Sequence, residues 1–368
     1  MDDDLNRRDS RRAELLGYLT RVAEDAGASD LFIVPYAPVY KKENGALVPL
    51  GELRTDEDTR ALVETVYALA GRSERFPEFL HSGDDDFSLS VKGVNARFRV
   101  NTYRQRGSLA AVMRVVPFGI PDWRERHIDQ RVMDLAKETR GMVLITGAAG
   151  MGKSTTLACI IDRINQTRSG HIVTLEDPIE YLHRNNKCII SQREIGLDSK
   201  DYLSALRACL RQAPDVVLLG EMRDPETIRT AMTAAETGHL VLATLHTDGA
   251  AKTIDRIIDA FPGDQQEQIR AQLAMVLEAV VCQKLLPGKN GGQVPAYEIM
   301  RRTDSIATMI RDNKTKQIDN DIASGGELGM IRMDKYIQNL YAAGQITAEA
   351  AVQFAEDEEK MRRKLGDG

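Results

Sequence analysis

An α/β fold with a parallel sheet, preceded by a smaller α+β domain, is predicted by three features of this 368-residue sequence. The first is an alternation of apolar strand-like runs (142–146, 171–175, 215–219 and 240–245) with helical stretches. Strands covered by helices on both faces read as such continuous runs. The second is a glycine-rich turn between the first of these strands and a helix. The third is a change of texture between Ala28 and Pro117, where short runs separated by Gly and Asn alternate at period 2. That is the pattern of strands with one face covered. The reading divides the chain into residues 1–117, a linker at 118–125, and residues 126–368. Pro117, Gly119 and Pro121 break either period around the first boundary.

In the first part, residues 1 to about 25 read as a charged lead-in and a helix carrying Leu15, Leu16, Tyr18, Leu19 and Val22. Arg60 to Leu69 suits a second helix. Residues 87–91, 97–101 and 110–116 are the clearest strands. In the second part the chain turns helical beyond Arg302, with Gly325, Gly326, Gly329 and Gly344 as breaks. Glu356 to Lys364 reads as a solvated helix end or frayed tail.

The glycine-rich turn carries the most chemistry. Gly147, Ala148, Ala149, Gly150, Met151, Gly152, Lys153 and Ser154 fit G-x-x-x-x-G-K-[ST]. The run Met142 to Thr146 precedes it as a buried strand. Leu157, Ile160, Ile161 and Ile164 follow at i, i+3, i+4 and i+7, one face of a helix. Strand, loop and helix start aim backbone N–H groups, through Thr155, and a positive dipole end at an anion. In this reading the loop binds ATP: Lys153 reaches the β- and γ-phosphates and the Ser154 hydroxyl holds Mg²⁺.

Hydrolysis also needs carboxylates. Val216 to Leu219, then Gly220 and Glu221, is an apolar strand ending in an acid, a layout that aims a carboxylate at Mg²⁺ or its water. His171 to Leu175 repeats the design and runs into Glu176-Asp177-Pro178-Ile179-Glu180. Either Glu176 or Glu180 could orient or deprotonate the attacking water, and spacing does not choose. A third segment places His239 and His246 at the two ends of an apolar strand, two of the chain's six histidines. Lone histidines are more often structural than catalytic; bracketing one strand weakens that bland reading.

Composition narrows the alternatives. A net charge of −6 and a pI of about 5.7 argue against a dedicated nucleic-acid binder. The four cysteines (Cys159, Cys188, Cys209, Cys282) form no C-x-x-C pair and read as reduced, buried thiols of a cytosolic protein. Met1-Asp2-Asp3-Asp4 and the arginines after it hold no apolar signal region. No run of about 18 apolar residues exists to span a membrane.

In this order and at this spacing, the segments resemble the secretion-ATPase superfamily of type II secretion and type IV pili, and within it the pilus-retraction ATPases. The likeness runs from Ala28-Ser29-Asp30-Leu31 through 97–101 to Gly329-Met330. It is most specific at Gly220-Glu221-Met222-Arg223-Asp224, at 230–239 and at 251–256. The resemblance implies a PAS-like N-terminal domain, a RecA-like ATPase domain and a homo-hexameric ring. It implies a cytoplasmic protein, peripheral at the inner membrane, that works on a membrane-embedded pilus platform protein. It assigns Glu176, Asp177 and Glu180 to an Asp box with Glu180 as the catalytic glutamate. Glu221 becomes an atypical Walker B acid acting on Mg²⁺ and water, and His239 and His246 a His box that senses the γ-phosphate or a neighbouring subunit. The loop departs from the usual family residues at Ala148, Ala149 and Met151, where the cradle is backbone.

A ring ATPase gains from arginines that reach the γ-phosphate of the adjacent subunit. Candidates are Arg97 and Arg99 on one strand face, Arg114, and Arg207 and Arg211 at i, i+4. Two other functions compete with retraction. An extension or secretion ATPase of the same superfamily commonly carries a four-cysteine zinc site, which is missing here. A RecA-like nucleic-acid translocase conflicts with the acidic charge and with the scarcity of aromatic residues in basic stretches.

Overall fold

The computed structural model describes residues 2–25 and 27–366, which form two compact units, one ending at Gly119 and the other beginning at Ile120. In the first unit the helix Asp2–Glu24 leads into strands β1 (Ala28–Ile33), β2 (Tyr40–Glu43) and β3 (Ala46–Pro49). Asn44 and Gly45, both at positive φ, make the tight turn between β2 and β3 that an Asn-Gly pair favours. The helices Asp56–Leu69 and Phe76–Ser82 follow, then β4 (Asp84–Ser90), β5 (Ala96–Gln105) and β6 (Ser108–Pro117). Thr55 and Asp58 close a reciprocal capping box at the start of Asp56–Leu69.

Among the described residues the six strands form one antiparallel sheet in the order β3-β2-β1-β6-β5-β4. Ala96, Phe98 and Val100 of β5 turn into a core with Leu19, Val63 and Tyr67. Arg97 and Arg99 therefore take the opposite face, and the register sets Arg114 of β6 directly beside Arg99. Arg114 is exposed and pairs with Asp30 at 3.1 Å. Three candidate arginines thus share one face of this unit.

The second unit holds β7 (Gly141–Thr146), β8 (Gly170–Glu176), β9 (Cys188–Glu194), β10 (Val216–Leu219), β11 (Leu240–Leu245), β12 (Leu277–Pro287) and β13 (Gln293–Arg301). Their order is β13-β12-β7-β11-β10-β8-β9, parallel throughout except for the final hairpin of β12 with β13. The four strands expected from the apolar runs are its centre, and β9, β12 and β13 extend it. Alternate strand residues feed two cores. Leu144, Leu175, Leu219 and Ala243 pack under the helices Pro225–Glu236, Ala250–Asp259 and Gly263–Val276. Val143, Ile145, Leu218 and Leu242 face Ile160, Ile161 and Ile164 of the helix Lys153–Thr167. This two-faced burial makes every residue of β7, β10 and β11 buried, hence their unbroken apolar sequence. The charged run near the C-terminus forms the helix Glu358–Leu365, whose Met361 is buried in a cluster with Ile337 and Ala351. It is a docked helix and not a frayed tail. No helix among the described residues is long and apolar enough to cross a membrane.

Candidate nucleotide site

Chemistry in an open parallel sheet collects beyond the carboxyl ends of its strands. Here β7 runs into the glycine loop, β8 ends at Glu176, β10 leads through Gly220 to Glu221, and β11 to His246. These ends surround a cavity of about 400 Å³ lined by the glycine loop from Ala149 to Thr155, Glu176, Glu180, Glu221 and His246. That volume suits a small-molecule ligand.

Two of the loop's glycines are tightly enclosed, and the third, Gly150, sits in open space at positive φ. A Cβ on Gly147 would sit 2.3 Å from the Gln283 carbonyl oxygen, and one on Gly152 would sit 2.9 Å from Gln283 Nε2, both at positive φ. Gly152 begins the helix Lys153–Thr167 in the left-handed conformation, leaving the first N–H groups of that helix for an anion. Lys153 is nearly buried. Its Nζ donates to the carbonyls of Gly147 at 2.7 Å and Ala148 at 2.9 Å and lies 3.4 Å from His246 Nδ1. Burial holds its pKa below the ordinary lysine value, against the pull of Glu221 and Glu180.

His246 bridges the loop to the Walker-B-like strand. Its Nε2 is 3.5 Å from Glu221 Oε1, while Glu221 Oε2 accepts from Arg223 Nε at 2.8 Å. Thr244 Oγ1 donates to the Gly220 carbonyl, tying the ends of β10 and β11 together. Among the described residues no three His, Cys, Asp or Glu side chains gather as a metal cluster. A Ser154 hydroxyl and one carboxylate, Glu221, on the same cavity suit Mg²⁺, which keeps waters and substrate phosphates among its ligands.

The two Asp-box glutamates differ sharply. Glu176 is drawn into the protein. Its Oε1 accepts from Thr174 Oγ1 at 2.6 Å and Gln192 Nε2 at 3.2 Å. Burial outweighs these bonds and pushes its pKa up to about 7. Glu180 is exposed on the cavity wall, and Asp177 is exposed beside it. Tyr181 follows, its hydroxyl 2.7 Å from Thr155 Oγ1, so the Asp-box segment is tied to the P-loop helix. His183 also lines the cavity, and burial pushes its pKa down to about 4.

Within the second unit, the structure separates His239, Arg207 and Arg211 from this cavity. His239 stands at the opposite end of β11, roughly 20 Å of strand away at about 3.3 Å per residue. There its Nδ1 lies 2.9 Å from the Ala234 carbonyl oxygen, at the end of the helix Pro225–Glu236. Arg207 reaches Glu226 at 3.6 Å, and Arg211 donates to the Arg207 carbonyl at 3.0 Å; neither lines the cavity. Arg97, Arg99 and Arg114 belong to the first unit. Sequence reasoning missed Tyr181, His183 and Gln192. Only the alternation around Gln192 in 188–194 carried a weak strand signal.

A glycine-loop P-loop at the head of a RecA-like parallel sheet, with acids ending two neighbouring strands, defines a P-loop nucleotide-binding protein. The chain belongs to the type II/IV secretion system protein family, whose model matches residues 14–366. It is 42% identical over 327 residues to the type IV pilus retraction ATPase PilT of Pseudomonas aeruginosa, covering 88% of this chain and 93% of that one. It is 46% identical to a twitching motility protein of Neisseria gonorrhoeae, covering 75% of this chain and 74% of the relative. Among solved structures, that of the pilus retraction motor PilT with bound ADP matches with a TM-score of 0.84 at 42% identity, covering 93% of this chain and 97% of that one.

Proposed function

We propose that this chain is an ATP-hydrolysing motor that powers type IV pilus retraction and twitching motility. In this proposal it works as a cytoplasmic homo-hexamer at the inner face of the membrane, acting on a pilus platform protein. One observation carries the reading: Lys153, Ser154, Glu180, Glu221 and His246 converge on one cavity, in a chain whose likeness to PilT covers nearly its full length.

In the proposed mechanism the loop N–H groups and Lys153 hold the β- and γ-phosphates. Ser154 and Glu221 would hold Mg²⁺, which when bound neutralises charge on the phosphate oxygens. Glu180, exposed on the cavity wall, accepts a proton from the attacking water. Glu176, tied back by Thr174 and Gln192, shapes the loop beneath it. His246, set between Lys153 and Glu221, senses whether the γ-phosphate is present. Arginines on the β5–β6 face of the first unit, with Arg207 and Arg211, are candidates to act across a subunit boundary.

The test is a mixing experiment on purified protein. A Lys153→Ala chain, with its arginines intact, is mixed with a chain carrying Arg97→Ala, Arg99→Ala, Arg114→Ala, Arg207→Ala or Arg211→Ala and an intact P-loop. The expected result is a hexameric mass and ATP turnover above the sum of the parents. Full turnover by a monomer, or confirmed mixed rings with no gain for any arginine variant, would contradict the ring mechanism.

A further inference from the structure

The segment that carries Glu180, from Asp177 to Lys187, contains no named helix or strand, so no regular backbone ladder sets its register. Two side chains of the edge strand β9 supply that register instead. Glu194 Oε2 accepts from the Ile179 N–H at 3.2 Å. Gln192 Nε2 donates to the Tyr181 carbonyl at 2.8 Å, and Gln192 Oε1 accepts from the His183 N–H at 2.8 Å. The contacts fall on alternate residues, 179, 181 and 183, as a strand's own backbone would place them.

The same Gln192 amide spends its second donor on Glu176 Oε1 at 3.2 Å. The register pairs Thr174 with Gln192 and Glu176 with Glu194, so all four side chains share one face of the sheet. Thr174 Oγ1 donates to the same Glu176 Oε1 at 2.6 Å. Glu180 is therefore held between its neighbours, Ile179 bonded to Glu194 and Tyr181 bonded to Gln192. The far end of the segment is fixed separately by Asn165, whose Nδ2 donates to the Arg184 carbonyl and whose Oδ1 accepts from the Asn186 and Cys188 N–H groups.

We infer that Gln192 is a positioning residue for hydrolysis, clamping the Asp-box segment so that Glu180 faces the γ-phosphate. Its amide spends one donor and its acceptor on this segment and the other donor on Glu176 at the end of β8, which no shorter or acceptor-only side chain reproduces. A displacement of about 1 Å in a catalytic group can cost on the order of 10²-fold in rate, whereas the P-loop that binds the nucleotide is built on a different strand and helix. The inference rests on Glu180 being the proton acceptor.

The experiment measures kcat, KM and ADP affinity for Gln192→Ala, Gln192→Glu, Glu180→Gln and the double variant Gln192→Ala/Glu180→Gln, each checked for hexameric mass. Gln192→Ala is expected to lower kcat about 10- to 100-fold with KM and ADP affinity within about threefold of the parent. Gln192→Glu keeps the shape and the acceptor for the His183 N–H but loses both donors, so it should lose at least as much. In the Glu180→Gln background, removing Gln192 should cost less than about threefold further, because the two act as one unit. Normal kcat in both Gln192 variants, or a loss undiminished in the Glu180→Gln background, overturns the inference while Glu180 stands. Normal turnover by Glu180→Gln alone overturns the underlying assignment of Glu180 itself.

Discussion

The two ends of β11 carry the same residue type and different chemistry. His246, beyond its carboxyl end, lies within 3.4 Å of Lys153 and 3.5 Å of Glu221, half-exposed to the nucleotide cavity. His239, before its amino end, packs its ring on the last turn of the helix Pro225–Glu236, with Thr237 Oγ1 at 3.2 Å from its Nδ1. Parallel strands send all their carboxyl ends to one edge, so loops from β7, β8, β10 and β11 can cooperate there. The opposite edge is spent on helix–strand connections: Asp215 accepts from the His171 N–H at 2.7 Å, and the Gly141 N–H donates to the His239 carbonyl at 3.0 Å. Position along a strand, more than residue type, separates function from support.

Variants can break this comparison. The largest effect should come from Lys153→Ala, which removes the loop's cationic side chain; ATP turnover should fall by at least about 10³-fold in a steady-state phosphate-release assay. Parent-like turnover would dissolve the P-loop assignment. Next, Glu221→Gln should keep nucleotide binding and lose roughly 10²- to 10³-fold in kcat, read by titrating labelled ADP alongside turnover. The two histidines then give the direct contrast. His246→Ala should cost about 10-fold or more in kcat, His239→Ala less than about threefold in a single protomer's chemistry. Equal losses in both would place the edge distinction in error, or His239 at a subunit boundary.

The smallest effect concerns stability and sharpens the contrast between the two Asp-box acids. Glu176 has its folded pKa raised from 4.5 to about 7 by burial. The folded state then binds more protons than the unfolded one between these values, so this group's contribution is full below about pH 4.5 and is lost as pH rises through about 7. Glu176→Gln removes that loss. Relative to the parent, the variant should melt higher at pH 8 than at pH 5.5, by a few degrees for an energy on the order of 2–3 kcal/mol. A pH-independent difference in Tm would show that Glu176 is ionised throughout.

Much of this site was readable from residues alone, because its parts are contiguous. Gly147 to Ser154 is a backbone device whose glycines all sit at positive φ, and Glu221 follows a strand too apolar to be anything but central. The antiparallel hairpin of β12 with β13 was not legible, since nothing local distinguishes it from a buried helix segment. Nor was the clamp formed by Gln192, for a side chain that bonds the backbone of residues 181 and 183 leaves no periodic trace. The choice between Glu176 and Glu180 stayed open for a related reason. Both are glutamates at a strand end, and only the bonds from Thr174 and Gln192 draw one of them inward. The grouping of Arg114 with Arg97 and Arg99 likewise needed the β5–β6 register.

The account turns on Glu180, the exposed acid of that pair, and the measurement that tests it most directly compares Glu180→Gln with Glu176→Gln in ATP affinity and single-turnover hydrolysis. Glu180→Gln should bind ATP within a few-fold of the parent and hydrolyse it about 10²- to 10⁴-fold more slowly, the contribution of a positioned base. Glu176→Gln should retain much the greater part of its activity. Fast hydrolysis by Glu180→Gln together with a stalled Glu176→Gln would contradict the account and move the catalytic role to Glu176.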